Sequence, residues 1–517
     1  LLSNAGYRTL VLEAAHLPGG CSSSFKKRGG VYETGATTLI GLDPHQPLHF
    51  LQHALGITLP AEPISPSMVI DLDRPAAGGR DRLVRHQDLE QWIEECVRVF
   101  GQPHEQREFW RLAKRVADTV WRVSLRNPFF PPRSLADAAE LLRNRPTDAW
   151  ILPHAMHSVR DVAMRMGLVH PDFIRLLDEQ LLISSQAHAA QTPFLFGAPA
   201  LTYTNYTNFY VPGGLLELVR ALQRRLEQAG GELLVRRKVV SVEKQGTWIV
   251  RTANGETHRA RHVVSNVPVW NMPGLTAGAV RDWFDRQSRR YASAWGALTF
   301  TLLTSDPYPD GLPLHRQIHL PGGDAVPGTG SRSIFVSISK RGDLVRAPEG
   351  HRAVNVSTHA DPEAWFALGA DYDGVKARAH EAVHGILRQT YPGFADAEIR
   401  ASFAATPVTW QKWVHRRLGR VGGIPQSMSR SLLDWTPSQT PFDGLWLCGD
   451  TVYPGQGIPG VTLSGINVYS RIMRREGRLD ELRREFRTAS CVFDSDRGDQ
   501  QPTGGASGRS ATLDRPR

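Results

Sequence analysis

At 517 residues, 41% hydrophobic and 22% charged, the chain has the composition of a folded, enzyme-sized protein, too long for one ordinary core and neither disordered nor fibrous. Lys plus Arg outnumber Asp plus Glu by 61 to 51, but the basic residues are scattered. The densest cluster, Arg471 to Arg487, carries acids at helical spacing and reads as a solvated helix face, with attraction to anionic lipid as the alternative.

In chain order, Leu1 to Ala5 reads as the last turn of a helix, closed by Gly6. Arg8 to Glu13 is a short apolar strand ending in an acid, the tail of a β-α-β unit. "LPGG", Leu17 to Gly20, leads into the small residues Cys21 to Ser24; two glycines there let a backbone approach a bound pyrophosphate closely. Lys26 to Thr34 reads as a strand or hairpin, followed by a small-residue loop from Gly35 to Gly41. From about 45 to 205 amphipathic helices dominate, among them Leu89 to Phe100 and Arg107 to Val123, broken by proline-rich stretches. Around Tyr210 an α/β pattern returns: a helix over Leu215 to Ala229, a Gly-Gly stop, then strands at Glu232 to Val235, Val239 to Lys244 and Thr247 to Thr252. A hairpin turn "ANGE" and a buried strand "HVVSN" follow. From about 286 to 395 strands and helices mix as in an α+β lobe, and 488–517 has the composition of a disordered tail.

Gly444 to Gly465, "GLWLCGDTVYPGQGIPGVTLSG", carries the most chemical information. An apolar strand runs into Gly449 and Asp450 at its carboxyl end, where ligands bind in open α/β sheets; a plain turn cap is the alternative for Asp450. Pro454, Gly455, Gly457, Pro459 and Gly460 then force a tight loop, and a helix is expected from about Pro459 or Gly460. The N–H groups of Gly460, Val461 and Thr462 would point ahead of that helix, at a place that favours negative charge. Glu13 stands where a dinucleotide-binding fold keeps its ribose acceptor. The four cysteines, Cys21, Cys96, Cys448 and Cys491, are far apart and form no C-x-x-C pair, which argues against zinc or a disulfide framework. Histidines at 154, 157 and 188 recruit no third ligand, so no metal is expected. No run of about 18 apolar residues points to a membrane span, no signal peptide is expected, and no motif points to nucleic acid.

Two of these stretches, "GYRTLVLEAAHLPGGCSSSFKKRGGVYETGATTLIG" and "GDTVYPGQGIPGVTLSG", resemble the phytoene desaturase and carotenoid isomerase family of flavin-dependent enzymes, within the wider amine-oxidase-like flavoproteins. "YVPGGLLELVRAL", "VVSVEK" and Ala405 to Ser427 extend the similarity. The resemblance implies an α/β fold with a Rossmann-like FAD-binding domain assembled from 1–70, 205–285 and 396–478. A helical substrate- or membrane-facing insertion at 71–204 and an α+β substrate domain at 286–395 complete it. FAD is the implied cofactor: Glu13 at the adenosine ribose, Gly19 and Gly20 along the pyrophosphate, Gly35 and Ala36 near the flavin ring, and Val239 at the adenine. Gly449 and Asp450 would lie beside the ribityl chain, and Gly457, Ile458, Pro459, Gly460 and Val461 at the anionic edge of the ring.

The activity implied is hydride transfer from a long apolar polyene, a carotenoid, to flavin N5, nearest in type to the carotenoid 3',4'-desaturases. Isomerisation, retinol-saturase-like reduction, amine oxidation and a cofactor-free carotenoid-binding role are the alternatives, and no catalytic side chain is assigned. The expected location is cytoplasmic, with peripheral contact on the inner face of a membrane. The family's G-x-G-x-x-G loop and first strand should precede Leu1, and the expectation is a missing sequence start rather than a new fold.

Overall fold

A computed structural model describes residues 1–495 except 75–78, 142–145, 292, 322–324 and 432. Two short parallel ladders form the Rossmann-like part. Leu10–Leu12 pairs with Glu232–Leu234, and Val263–Ser265 pairs with Leu445–Leu447. The all-apolar strand Leu445–Leu447 is buried on both faces, as such a parallel strand must be. Trp446 packs on Val468 and Ile472 of helix Ile458–Arg475, while Leu445 and Leu447 face a core containing Trp248 and Trp270. An antiparallel excursion, Val239–Gln245, Thr247–Thr252 and Thr257–Ala260, separates the ladders in sequence. Among the described residues, Leu10–Leu12 and Val263–Ser265 each have one partner strand only. Their other edges are open, with Leu10, Val11 and Val264 37%, 39% and 38% exposed.

The second body is a seven-stranded sheet. In space its order is Ile399–Ala405, Gly296–Ser305, His351–Ala360, Ser333–Ile338, His315–His319, Met68–Arg74 and Gly79–Arg85. Every neighbour is antiparallel except His315–His319 against Met68–Arg74. Helix Tyr372–Thr390 covers it through Ala379, Val383 and Leu387. The last two strands fall in the segment read from sequence as the start of a helical insertion, and the expected boundary at 70/71 cuts through Met68–Arg74. "MVIDLDR" does alternate apolar and polar residues, but over too few positions to stand out beside long amphipathic helices. Met68, Ile70, Leu72 and Leu83 join the helical core, so this hairpin welds the helices to the sheet.

That core is built by Leu89–Phe100, Pro103–Arg126, Pro171–Ser185 and Phe194–Leu201. Trp92, Phe109, Trp110 and Phe173 meet edge to face in it, the arrangement that ring quadrupoles favour. At the other end of the chain, helix Leu479–Ser495 runs into the stretch expected to be a disordered tail. Leu482, Phe486, Ala489 and Phe493 keep apolar residues at helical spacing there; residues 496–517 of that expected tail lie outside the described residues.

His315 and His319 are buried in the large sheet. Burial, reinforced by nearby arginines, pushes them down to about 4 and about 3. In the unfolded chain both titrate near 6.5, so between those values the unfolded state binds protons that the folded state does not. Their contribution is whole above the unfolded value and is lost as pH falls through the folded one. The midpoint of urea unfolding should therefore drop over this interval, and drop less steeply in His315→Gln; equal slopes in the two proteins would refute the assignment.

Candidate functional site

The open edges of the two ladders face one cleft of about 2700 Å³. Of the residues expected at the site, Glu13, Gly19, Gly20, Val239, Gly449, Asp450 and Val461 line it, whereas Gly35, Ala36, Gly457, Ile458, Pro459 and Gly460 do not.

Glu13 follows strand Leu10–Leu12, fixed by its own N–H on the Leu234 carbonyl (2.9 Å) and by the Arg237 N–H on its carbonyl (2.7 Å). Its Oε1 accepts the Ala15 N–H at 2.8 Å; Oε2 has no hydrogen-bond partner among the described residues. Gly19 has φ of 105° and caps the single turn Gly20–Ser22. A β-carbon on Gly19 would stand 2.9 Å from Val219 Cγ2, so only glycine lets this backbone lie against helix Leu216–Gln228. Gly35 and Ala36 sit one layer behind: the Ala36 N–H donates to the Cys21 carbonyl at 3.0 Å, and Trp410 packs over Gly35. Cys21 and Trp410 do line the cleft.

Gly449 and Asp450 terminate strand Leu445–Leu447. Gly449 has φ of 98°, its N–H donates to Ser464 Oγ at 2.8 Å, and a β-carbon would fall 2.1 Å from Asn266 Oδ1. Asp450 is already engaged: its Oδ2 takes a hydrogen bond and an ion pair from Arg416 Nη2 at 2.7 Å. Burial opposes the charge on Arg416, but the Asp450 carboxylate and Cys21 together outweigh it, and the guanidinium is held above its usual range. Burial also pushes the neighbouring Cys21 thiol up, against the pull of Arg416. Sequence reasoning missed Arg416, Trp410 and Asn266. Arg416 and Trp410 stand in a segment whose resemblance was legible, but no spacing ties position 416 to 450.

Helix Ile458–Arg475 begins one residue earlier than expected, with Gly457 as its cap and Pro459 in its first turn. The shift changes which donors are free. The Val461 N–H is not one of them, since it donates to the Gly457 carbonyl at 2.9 Å, and the helical repeat assigns the Thr462 N–H to the Ile458 carbonyl. The first-turn N–H groups left without an acceptor inside the helix are those of Ile458 and Gly460. Towards the cleft the helix presents Val461, Thr462, Gly465, Val468, Tyr469 and Ile472.

Residues 1–473 match the family described as flavin containing amine oxidoreductase. The chain belongs to that family. It is an FAD-dependent enzyme of the oxidoreductase type, and the resemblance stated from its sequence holds. It is 25% identical over 496 residues to "Prolycopene isomerase, chloroplastic" of Daucus carota, covering 91% of this chain and 77% of the relative. It is 26% identical over 509 residues to "Phytoene desaturase (neurosporene-forming)" of Cereibacter sphaeroides, covering 89% of each. Among solved structures, an oxidoreductase from Methanosarcina mazei shares the fold at a TM-score of 0.59 and 15% identity, over 90% of this chain and 95% of that one. A putrescine oxidase triple mutant shares it at 0.60 and 14%, over 92% and 95%.

The lining suits FAD: a carboxylate with one oxygen unused where a strand ends, a glycine pair that brings backbone to the surface, and a half-buried anion already balanced by a buried guanidinium. Gly449→Ala should lower the flavin-to-protein absorbance ratio of the purified protein more than tenfold, because the new methyl group collides with Asn266 and the backbone is strained. Gly449→Ala/Asn266→Ala should recover part of it. Full flavin occupancy in the single variant would show that this turn does not shape the site.

Proposed function

We infer that the protein acts on long apolar polyenes of the carotenoid class, desaturating a CH–CH bond as its first reading and isomerising a C=C bond as its second. The observation that carries this is the alignment, over about nine-tenths of the chain, with both a phytoene desaturase and prolycopene isomerases. Isomerisation stands beside desaturation because those isomerases are among the relatives; the narrower reading, desaturation at the 3',4' bond, rests on the resemblance of the stretch from Gly35 to Ile57.

In this reading FAD, when bound, supplies the two-electron acceptor that desaturation needs. The chain's own residues hold and orient. Glu13 Oε2 accepts a ribose hydroxyl, the Gly19-Gly20 turn passes along the pyrophosphate, and Val239 lies at the adenine. Arg416 fixes Asp450 so that its second oxygen, Oδ1, meets the sugar chain. The positive end of helix Ile458–Arg475, which reaches the cleft at Val461, would favour negative charge beside the ring. With Asp450 paired to Arg416, the reading assigns no general base.

A water-insoluble substrate has to be collected from a lipid surface. Leu152 in the 3-10 turns Pro146–Ala155, Met156 just after them and Met164 in the short helix Val159–Arg165 are 51%, 74% and 46% exposed, with Trp150 40% exposed nearby. Exposed apolar side chains in a stretch that also carries the exposed Arg160 and Arg165 suit shallow insertion among anionic headgroups. Among the described residues no helix is long and apolar enough to cross a membrane.

Two measurements test the reading. Incubating the FAD-loaded protein with a carotenoid should give a product lighter by two hydrogens per turnover for desaturation, or unchanged in mass with altered double-bond geometry for isomerisation. Conversion of amines with peroxide release, and of no polyene, overturns both. The protein should also float with anionic vesicles, and Leu152→Asp/Met156→Asp should lose at least tenfold of that binding; unchanged flotation places the contact elsewhere.

A further inference from the structure

We propose that His49 and His53, outside the flavin cleft, form a binding site for a first-row divalent transition-metal ion of the Zn²⁺, Cu²⁺ or Ni²⁺ type. The two histidines stand one turn apart on helix Pro47–Leu55, where side chains four residues apart share a face. Their Nε2 atoms are 3.1 Å apart and their ring centroids 4.5 Å apart. Two imidazole nitrogens that each hold one ion at about 2.0–2.1 Å, with an angle of roughly 95–110° at the metal, are about 3.0–3.4 Å from each other. The pair is thus at ligating separation before any ion arrives.

The proton positions point the same way. His49 Nδ1 is 3.1 Å from the Leu42 carbonyl oxygen, which can only accept, so the proton of neutral His49 is on Nδ1 and the lone pair of Nε2 faces His53. A backbone carbonyl on the far nitrogen is the partner that fixes tautomer and ring orientation in histidine metal sites. In the ion-free protein a proton on His53 Nε2 bridges the two rings. An ion takes its place: two N–metal bonds form, and the proton moves to His53 Nδ1 with no net release. Metal binding to an imidazole nitrogen competes with protons and so weakens in acid.

The field is favourable as well. His53 lies in the last turn of the helix, just before its C-cap Gly56, where the helix dipole favours positive charge. Among the described residues no third His, Cys, Asp or Glu converges on the pair. Nitrogen ligands select this part of the first row over Mg²⁺ and Ca²⁺. The ion would brace a segment that matters elsewhere. The His49 N–H donates to the Gly41 carbonyl at 3.0 Å, and a β-carbon on Gly41 would be 3.1 Å from Pro459 Cγ, so the clamp backs onto the loop that opens helix Ile458–Arg475.

The test uses the full chain loaded with FAD, stripped of metal by a chelator and dialysed against Zn²⁺ at neutral pH and again near pH 5. The readout is the difference between wild type and His53→Ala, because other histidines also bind metal weakly. His53 is exposed, so this variant leaves the core untouched. Wild type should bind one equivalent more than the variant at neutral pH, lose that excess in acid, and show a Zn²⁺-dependent rise in melting temperature that the variant lacks. With one equivalent of Cu²⁺, wild type should show hyperfine coupling to two nitrogens. Equal stoichiometry in the two proteins, or an excess that persists near pH 5, overturns the proposal whatever the enzyme's substrate proves to be.

Discussion

The structure turns on one buried carboxylate. Glu33, at the end of the hairpin Ser24–Lys27 and Gly30–Glu33, is 6% exposed. It accepts from Ser24 Oγ at 2.6 Å, from the Leu215 N–H at 3.2 Å and from Arg346 Nη1 at 2.6 Å. Asn355, in the middle of a strand of the large sheet, holds the Glu33 backbone from both sides. An isolated carboxylate at such burial costs several kcal/mol, so each of these partners has to be present at once. Because they come from the N-terminal hairpin, the turn before helix Leu216–Gln228 and the large sheet, satisfying one charge fixes the Rossmann-like part against the second body.

The cleft inherits that rigidity. Its walls are the open strand edges and the helix Ile458–Arg475, whose far side is anchored in turn: Arg471, 1% exposed, bonds to Asp137, Gln439 and the carbonyls of Phe129 and Pro131. A flavin site gains by being built on fixed elements, since preorganised donors lose nothing when charge develops in front of them. The Arg416–Asp450 pair follows the same logic. It settles a half-buried negative charge beforehand, at the point where the strand Leu445–Leu447 meets the cleft.

How much of this was legible varied by element, for identifiable reasons. Leu445 to Gly465 could be read almost residue by residue, because an apolar triplet, positive-φ glycines and a proline in a helix's first turn leave the backbone few choices; the error there was one position in the helix start, enough to remove Val461 from the free donors. The hairpin Met68–Arg85 could not be recognised as part of the sheet, since its partner strand His315–His319 lies some 240 residues away and only pairing reveals it. For the same reason Arg416 went unnoticed, while Asp450, next to a strand end, was found.

The sequence by itself determined much of the local chemistry: most of the helices and the strands beside the site, where glycine is obligatory, which acid closes a strand, and to which flavoprotein family the whole belongs. These follow from short-range constraints on φ, ψ and periodicity, and from motifs a few residues long. Only the tertiary structure decided which side of each motif faces the cleft. It showed that Gly35 and Ala36 lie behind Cys21 and Trp410, that Asp450 has a cation of its own, and that a hairpin from the first hundred residues finishes the sheet. Such facts depend on burial and pairing between segments far apart in the chain, and a buried charge such as Glu33 becomes affordable only once those segments have met.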